Sequence, residues 1–261
     1  MKIEEYIQNL SAHGTRTFTS GEVKAALGKS DKATWSAIER LKAKGTLASP
    51  AKGFYVIIPP EYRILKCLPP ELFISSLMSF WNKSYYISLL SAAMYLGAAH
   101  HQPQVFQVMM EEYHPKISCG KVRIEFAKKK NLSATPLQTI KTTAGNINIS
   151  TPESTAIDLI SYPGKCGGLN NILTILEELS EILKPFPLIS LLENTREKTS
   201  FQRLGYLLER IGNLELASLL YERLKLVPFK MIPLDPSLPI KGAKRDAKWK
   251  IALNTELESE L

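Results

Sequence analysis

The chain predicts an α+β fold: a small N-terminal module of helices and short strands, then a larger α/β domain with a small sheet and several helices. Three observations lead there. Helical apolar spacing alternates with short β-like runs, two Pro-Pro pairs at 59–60 and 69–70 punctuate the chain, and the basic excess is concentrated in its first quarter. Its 261 residues suffice for two ordinary domains. At 44% hydrophobic and 22% charged, the composition is that of a globular protein with a sizeable core.

Residues 2–12 place Ile3, Tyr6, Ile7 and Leu10 at i, i+3, i+4 and i+7, an amphipathic helix. Thr15-Arg16-Thr17-Phe18 favours a short strand. Thr19 or Ser20 then opens a second helix, with Glu22 in its first turn, Val23, Ala26 and Leu27 on its apolar face and Gly28 as its stop. Ser30 or Asp31 caps a third helix that runs to about Lys44 and stops at Gly45. Trp35, Ile38 and Leu41 are expected to be its buried face. Two short helices joined by a tight glycine turn fit a helix-turn-helix. Thr46-Leu47-Ala48 and residues 54–58, separated by Ser49-Pro50-Ala51-Lys52-Gly53, read as a hairpin, which in this position is a wing. The expected organisation is a winged helix-turn-helix over 1–60, a connector over 61–84 with a helix near 71–80, and a C-terminal α/β domain over 85–261.

In that domain, YYISLLSAAMYLG at 85–97 reads as a strongly apolar helix. Strands are expected at 104–110, at 121–126, where Val122, Ile124 and Phe126 alternate with charged residues, and at 145–150. Thr151-Pro152-Glu153 is a helix start, with a capping Thr, Pro in the first turn and an acid by the N-terminal dipole. Leu169, Ile172, Leu173, Leu176, Leu179 and Leu183 mark another helix, and further helices are expected at 188–194, 200–211 and 214–224. Four prolines after 225 predict a tail that is extended or looped.

Residues 1–68 hold eleven Lys/Arg against six Asp/Glu, a net of +5, whereas the rest of the chain carries a net of +3. Such a basic surface attracts phosphate backbones. In a helix-turn-helix the second helix of the pair enters the major groove. The outward residues expected there are Ser30, Lys32, Ala33, Thr34, Ser36, Ala37 and Arg40, with Lys52 at the wing tip. Hydroxyls can bond phosphate or bases, lysines neutralise phosphate, and Arg40 can read a guanine edge.

Other chemistries find less support. Cys67, Cys119 and Cys166 lie about 50 residues apart and read as buried, inert thiols, with no metal-ligand spacing. His100 and His101 are adjacent and cannot share one face, while His13 and His114 are isolated. Glu125 invites a nuclease reading, but Lys128 stands three residues on, and only Glu111 and Glu112 could supply a second acid. Lys128-Lys129-Lys130 reads as a solvated patch or a secondary phosphate contact. Asp158 and Glu153 read as bonding within the fold, and Gly167-Gly168 is too short to cradle a phosphate. No catalytic residue, metal or cofactor is expected. The absence of a bilayer-length apolar run and of an apolar N-terminal stretch predicts a cytoplasmic protein with no membrane partner.

Three segments together resemble the AbiEi-type antitoxins, transcriptional regulators of the AbiE abortive-infection toxin–antitoxin systems. They are SGEVKAALGKSDKATWSAIERLKAKGTL leading to Tyr55, YYISLLSAAMYLG followed by QVFQVMM, and GNINISTPESTAIDLI; Trp249 and Asn254 fit the tail. The resemblance implies promoter DNA with inverted repeats as one partner and a cognate nucleotidyltransferase-like toxin as the other. It also implies autorepression by the winged helix and antitoxin activity in the C-terminal domain. Ala33 and Ala37 stand where such helices usually carry longer side chains, so the DNA surface is lean, and dimeric or cooperative binding is expected. The rival readings are a metal-dependent nuclease or nucleotidyltransferase-like enzyme with a DNA-targeting module, and a winged helix that binds protein.

Overall fold

The computed structural model describes residues 1–28, 30–98, 103–195 and 198–258. These form two compact units that interleave in sequence. One comprises Met1–Ile87, Gln104–Ala134 and Gln138–Ile149; the other comprises Ser88–Pro103, Thr135–Leu137 and Ser150–Leu261.

The first unit begins with α1 (Ile3–Ala12), β1 (Thr17–Thr19), α2 (Ser20–Leu27), α3 (Asp31–Ala43), β2 (Leu47–Ala51) and β3 (Phe54–Ile57). The strands form an antiparallel sheet in the order β1-β3-β2. Thr19 caps α2 by accepting from the Glu22 amide (3.2 Å), and the Glu22 carboxylate accepts from the Thr19 amide (2.6 Å), a reciprocal cap. Gly28 ends α2 at φ +60°, where a side chain would crowd the backbone. Ile3, Phe18, Val23, Leu27, Ile38, Leu41, Leu47, Tyr55 and Ile57 make one core, with Tyr6, Ile7, Leu10 and Ala37 packed at its margin. Each such buried side chain contributes roughly 1.5–3 kcal/mol.

The hairpin is tighter than the sequence suggests. Ser49, Pro50 and Ala51 belong to β2, which is irregular between Ala48 and Ala51, and only Lys52 and Gly53 turn. Pro50 fits because β2 is an edge strand, where the missing N–H costs no ladder bond.

Residues 59–84 contain α4 (Ile74–Trp81), as expected from the apolar run. The segment 85–97 is not one helix. Tyr86 and Ile87 form β4, and the helix α5 spans only Leu89–Tyr95. β4 lies inside a sheet with both residues buried, and a continuously apolar run cannot be told from a buried helix by period alone. Leu89 makes the change of direction at φ +55°. That sheet has six strands, completed by β5 (Phe106–Met110), β6 (Ile117–Cys119), β7 (Val122–Lys128), β8 (Leu137–Thr142) and β9 (Gly145–Ser150). Their order is β6-β7-β5-β4-β9-β8. β7 runs parallel to β5, and its buried Val122, Ile124 and Phe126 alternate as predicted. β6 and β8 were not anticipated: one has three residues, and the other is a polar edge strand with no buried side chain.

The second unit is mainly helical: α5, α6 (Pro152–Ser161), α7 (Gly168–Leu179), α8 (Pro185–Asn194), α9 (Thr199–Arg210) and α10 (Leu214–Leu224). Thr151 caps α6 by accepting from the Ser154 amide (3.3 Å). The tail is more ordered than its prolines imply. β10 (Ile232–Pro233), β11 (Lys244–Asp246) and β12 (Ile251–Leu253) form a small sheet beside α9. Gln202, fully buried on α9, donates to the carbonyls of Lys230, Trp249 and Lys250, and Arg203 donates to the Pro233 carbonyl (3.0 Å). The buried Trp249 donates its indole N–H to Glu209 (2.6 Å). Bonds from Lys248 and from that indole hold the Glu209 carboxyl below the usual range, against partial desolvation.

Gly205 makes this seat possible: a Cβ there would come within 2.1 Å of the Trp249 ring. Gly205→Ala is therefore expected to overpack the site and cost about 1–3 kcal/mol. Thermal melting checks it, and an unchanged midpoint would contradict the packing described.

Candidate nucleic-acid interface

The first three helices and the hairpin set the position of every residue expected to contact DNA. Helix α3 seats one stripe in the core, Thr34, Ile38 and Leu41, with Ala37 half-buried beside it. This corrects the predicted register. Thr34 faces inward and is only 3% exposed, whereas Trp35 is 43% exposed. Geometry explains the shift. Positions 34, 38 and 41 stand at i, i+4 and i+7 and stack on one side of a helix turning about 100° per residue, while 35, 38 and 41 drift by about 60° each step. The Thr34 hydroxyl has no hydrogen-bond partner among the described residues.

Ser30, Lys32, Ala33, Ser36 and Arg40 are exposed on α3 or at its N-cap, and Lys52 is exposed at the turn of the hairpin. The Ser36 hydroxyl donates to the Lys32 carbonyl (2.9 Å). Arg40 is paired with Glu4 of α1 at 3.3 Å, and both ends are exposed. Asp31 is tied to Lys24 (2.8 Å) and Glu39 to Lys42 (2.8 Å), so two acids on α3 are partly neutralised in place. Among the described residues, Lys32, Lys44 and Lys52 have no ion-pair partner.

An aromatic ladder stiffens the space between α3 and the sheet. Tyr6 meets Phe18 edge-on (5.8 Å), Phe18 stacks on Tyr55 (5.3 Å), and Trp35 meets Tyr55 edge-on (6.4 Å, 72°). Burial first, and the Glu39 charge second, hold the Tyr55 phenol above its ordinary range. The exposed Trp35 was missed in the sequence, although the closer i, i+4, i+7 spacing of Thr34, Ile38 and Leu41 was a signal for it.

The other singled-out residues lie in structural settings. Lys129 is half-buried and donates to the Tyr86 hydroxyl (3.1 Å), so the triple-lysine run is not uniformly solvated. Glu125 stands opposite Gln107 across β5 and β7. Glu111 accepts from the Leu132 amide (3.1 Å), and Glu112 pairs with Lys83 (2.7 Å). Among the described residues, no three His, Cys, Asp or Glu side chains gather as metal ligands would. Glu153 is buried and accepts from the Lys184 amide (2.9 Å), and Asp158 is buried on the same helix.

His13 bonds the Asn9 carbonyl (2.8 Å), and His114 packs against Trp81 and Phe126; His100 and His101 lie outside the described residues. The three cysteines are buried and free, as expected. Burial, helped by the charge of Asp158, pushes the Cys166 thiol up to about 12, and a hydrogen bond with Cys119, together with burial, keeps Cys67 protonated. Among the described residues, no helix is long and apolar enough to cross a membrane.

The geometry defines an α+β protein whose N-terminal elements expose a partly basic helix beside a hairpin turn. Residues 86–210 match the family described as the AbiEi antitoxin C-terminal domain. The resemblance to AbiEi-type antitoxins drawn from the sequence is borne out over this segment, and the match supports an antitoxin role. No curated protein matches the chain. Among solved structures, the RV2827C protein from Mycobacterium tuberculosis is similar with a TM-score of 0.69 at 17% identity, over 94% of this chain and 89% of that one. At that identity the likeness shows the fold alone. An antigenic nucleotidyltransferase-like protein from Paracoccidioides brasiliensis gives a TM-score of 0.33 at 13% identity, over 56% of this chain and 88% of that one, too low to carry an argument.

The inward position of Thr34 is separable from any role in binding. Thr34→Val keeps the β-branched shape and removes a buried, unsatisfied hydroxyl, so stability is expected to rise by about 1 kcal/mol. Urea unfolding measures this. A loss of stability would show that the hydroxyl has a partner.

Proposed function

We propose that the chain is a sequence-specific DNA-binding autorepressor as well as an antitoxin. In this reading residues 1–60 are a winged helix-turn-helix, 61–84 a connector, and 85–261 the antitoxin domain. The observation that carries the reading is the single buried stripe of α3. With Thr34, Ile38 and Leu41 seated in the core, Ser30, Lys32, Ala33, Ser36 and Arg40 are left outward, and the hairpin turn holds Lys52 outward as well. The order of α2, the Gly28 turn, α3 and an antiparallel hairpin supports the winged-helix reading. Helix α3 would then enter the major groove and the wing would meet the flanking backbone.

Ser30, Ser36 and Lys32 suit phosphate oxygens, and Arg40 can reach a base edge or phosphate once it leaves Glu4. Thr34 drops out of the contact set, and Ala37, half-buried, contributes only the close approach its small side chain allows. Three unpaired lysines are few for tight binding. The chain therefore acts as a dimer or cooperatively, on inverted repeats in its own promoter. The cognate partner is a nucleotidyltransferase-like toxin, the setting is cytoplasmic, and the chain works by binding, without catalysis of its own.

The reading is tested by titrating the full chain onto the DNA upstream of its own gene at several salt concentrations. Lys32→Ala and Lys52→Ala are each expected to weaken binding and to lower the slope of log affinity against log salt by about one. Arg40→Ala is expected to do less, because Arg40 begins in an ion pair with Glu4. Binding by all three variants at wild-type strength and slope would contradict the assignment.

A further inference from the structure

Trp35 is an exposed indole in the middle of the helix that the DNA reading places in the groove. We infer that Trp35 contacts thymine methyl groups in the major groove and sets part of the sequence preference; the inference rests on that reading.

Four observations carry it. The indole is 43% exposed, so much of a large ring with an apolar body stands open to a partner. It is held in place rather than free: its ring meets Tyr55 edge-on at 6.4 Å, and Tyr55 is buried and stacked on Phe18. A supported aromatic loses little rotamer freedom when it binds. One turn to either side on the helix stand Asp31 and Lys32 before the ring and Ile38 and Glu39 after it, and of these only Ile38 is buried, so the ring lies on the solvent side of the buried stripe.

The surrounding charge selects a polyanion as the occupant. Among the described residues, Lys32 on the preceding turn and Lys52 on the hairpin lack ion-pair partners, while the acids Asp31 and Glu39 are tied to Lys24 and Lys42. An apolar ring with a free cation, Lys32, three residues before it on the same helix matches a groove edged by phosphates and floored by base edges. There the thymine C5-methyl is the one apolar group that a base presents.

The experiment compares wild-type chain, Trp35→Ala and Trp35→Phe on two duplexes from the chain's own upstream DNA, one natural and one with every thymine replaced by uracil. A scrambled duplex sets the non-specific baseline. Wild type is expected to bind the natural duplex about tenfold more tightly than the uracil duplex. Trp35→Ala is expected to lose about tenfold on the natural duplex and to bind both duplexes within about twofold of each other. Trp35→Phe should fall between, with the salt slope unchanged because no charge is altered. Effects of uracil on DNA shape are common to all three proteins and cancel in the cycle.

Equal binding of both duplexes by the wild type overturns the inference without relying on any variant. So does a Trp35→Ala variant that keeps its affinity or its preference for thymine. A wild type that binds its own upstream DNA no better than the scrambled duplex overturns the DNA reading, and the inference falls with it.

Discussion

The seating of α3 governs what the N-terminal elements can present. Ile38 and Leu41 are buried among Phe18, Val23, Leu27, Leu47, Tyr55 and Ile57. Once that stripe is fixed, the 3.6-residue period decides every other position on the helix. Rotating α3 by one residue would turn the Thr34, Ile38 and Leu41 stripe away from the core and bring the charge of Arg40 on one side, or of Glu39 and Lys42 on the other, inward in its place, costing several kcal/mol. The outward face is thus a consequence of packing, and its composition is what remains for function.

Much of the fold was legible in the sequence where local chemistry and period agreed. The Thr19–Glu22 cap, the Gly28 stop, the Thr151-Pro152-Glu153 start and the alternation along β7 each combine a terminus signal with a clear pattern. Reading failed where the deciding force was tertiary. Tyr86 and Ile87 became a strand because neighbouring strands flank them on both sides, a fact absent from their own apolar run. Trp249 is buried because Gly205, some forty residues earlier, leaves room for its ring. The outward set on α3 is mostly legible, and Thr34 and Trp35 exchange places because residues at i, i+4 and i+7 lie closer to one helix face than residues at i, i+3 and i+6.

The two units differ in what holds them together. The first rests on strand pairing and an aromatic ladder around a small core. The second rests on packed helices, closed off by buried side chains of α9 that bond the backbone of the tail. Gln202 and Arg203 therefore bring long-range order to a proline-rich segment that has little regular structure of its own. The segment matched to the antitoxin family, 86–210, takes in all six strands of the six-stranded sheet and α5 through α9. The family resemblance thus covers elements quite distinct from the basic helix near the N-terminus.

Hydrogen–deuterium exchange of the full chain, with and without its upstream DNA, tests the central claim most directly. The account predicts slowed exchange on binding in the first turns of α3, over residues 30–36, and at the hairpin turn, residues 51–53, with little change in α9 and the tail sheet. DNA binding with no protection at α3 or the hairpin would contradict it.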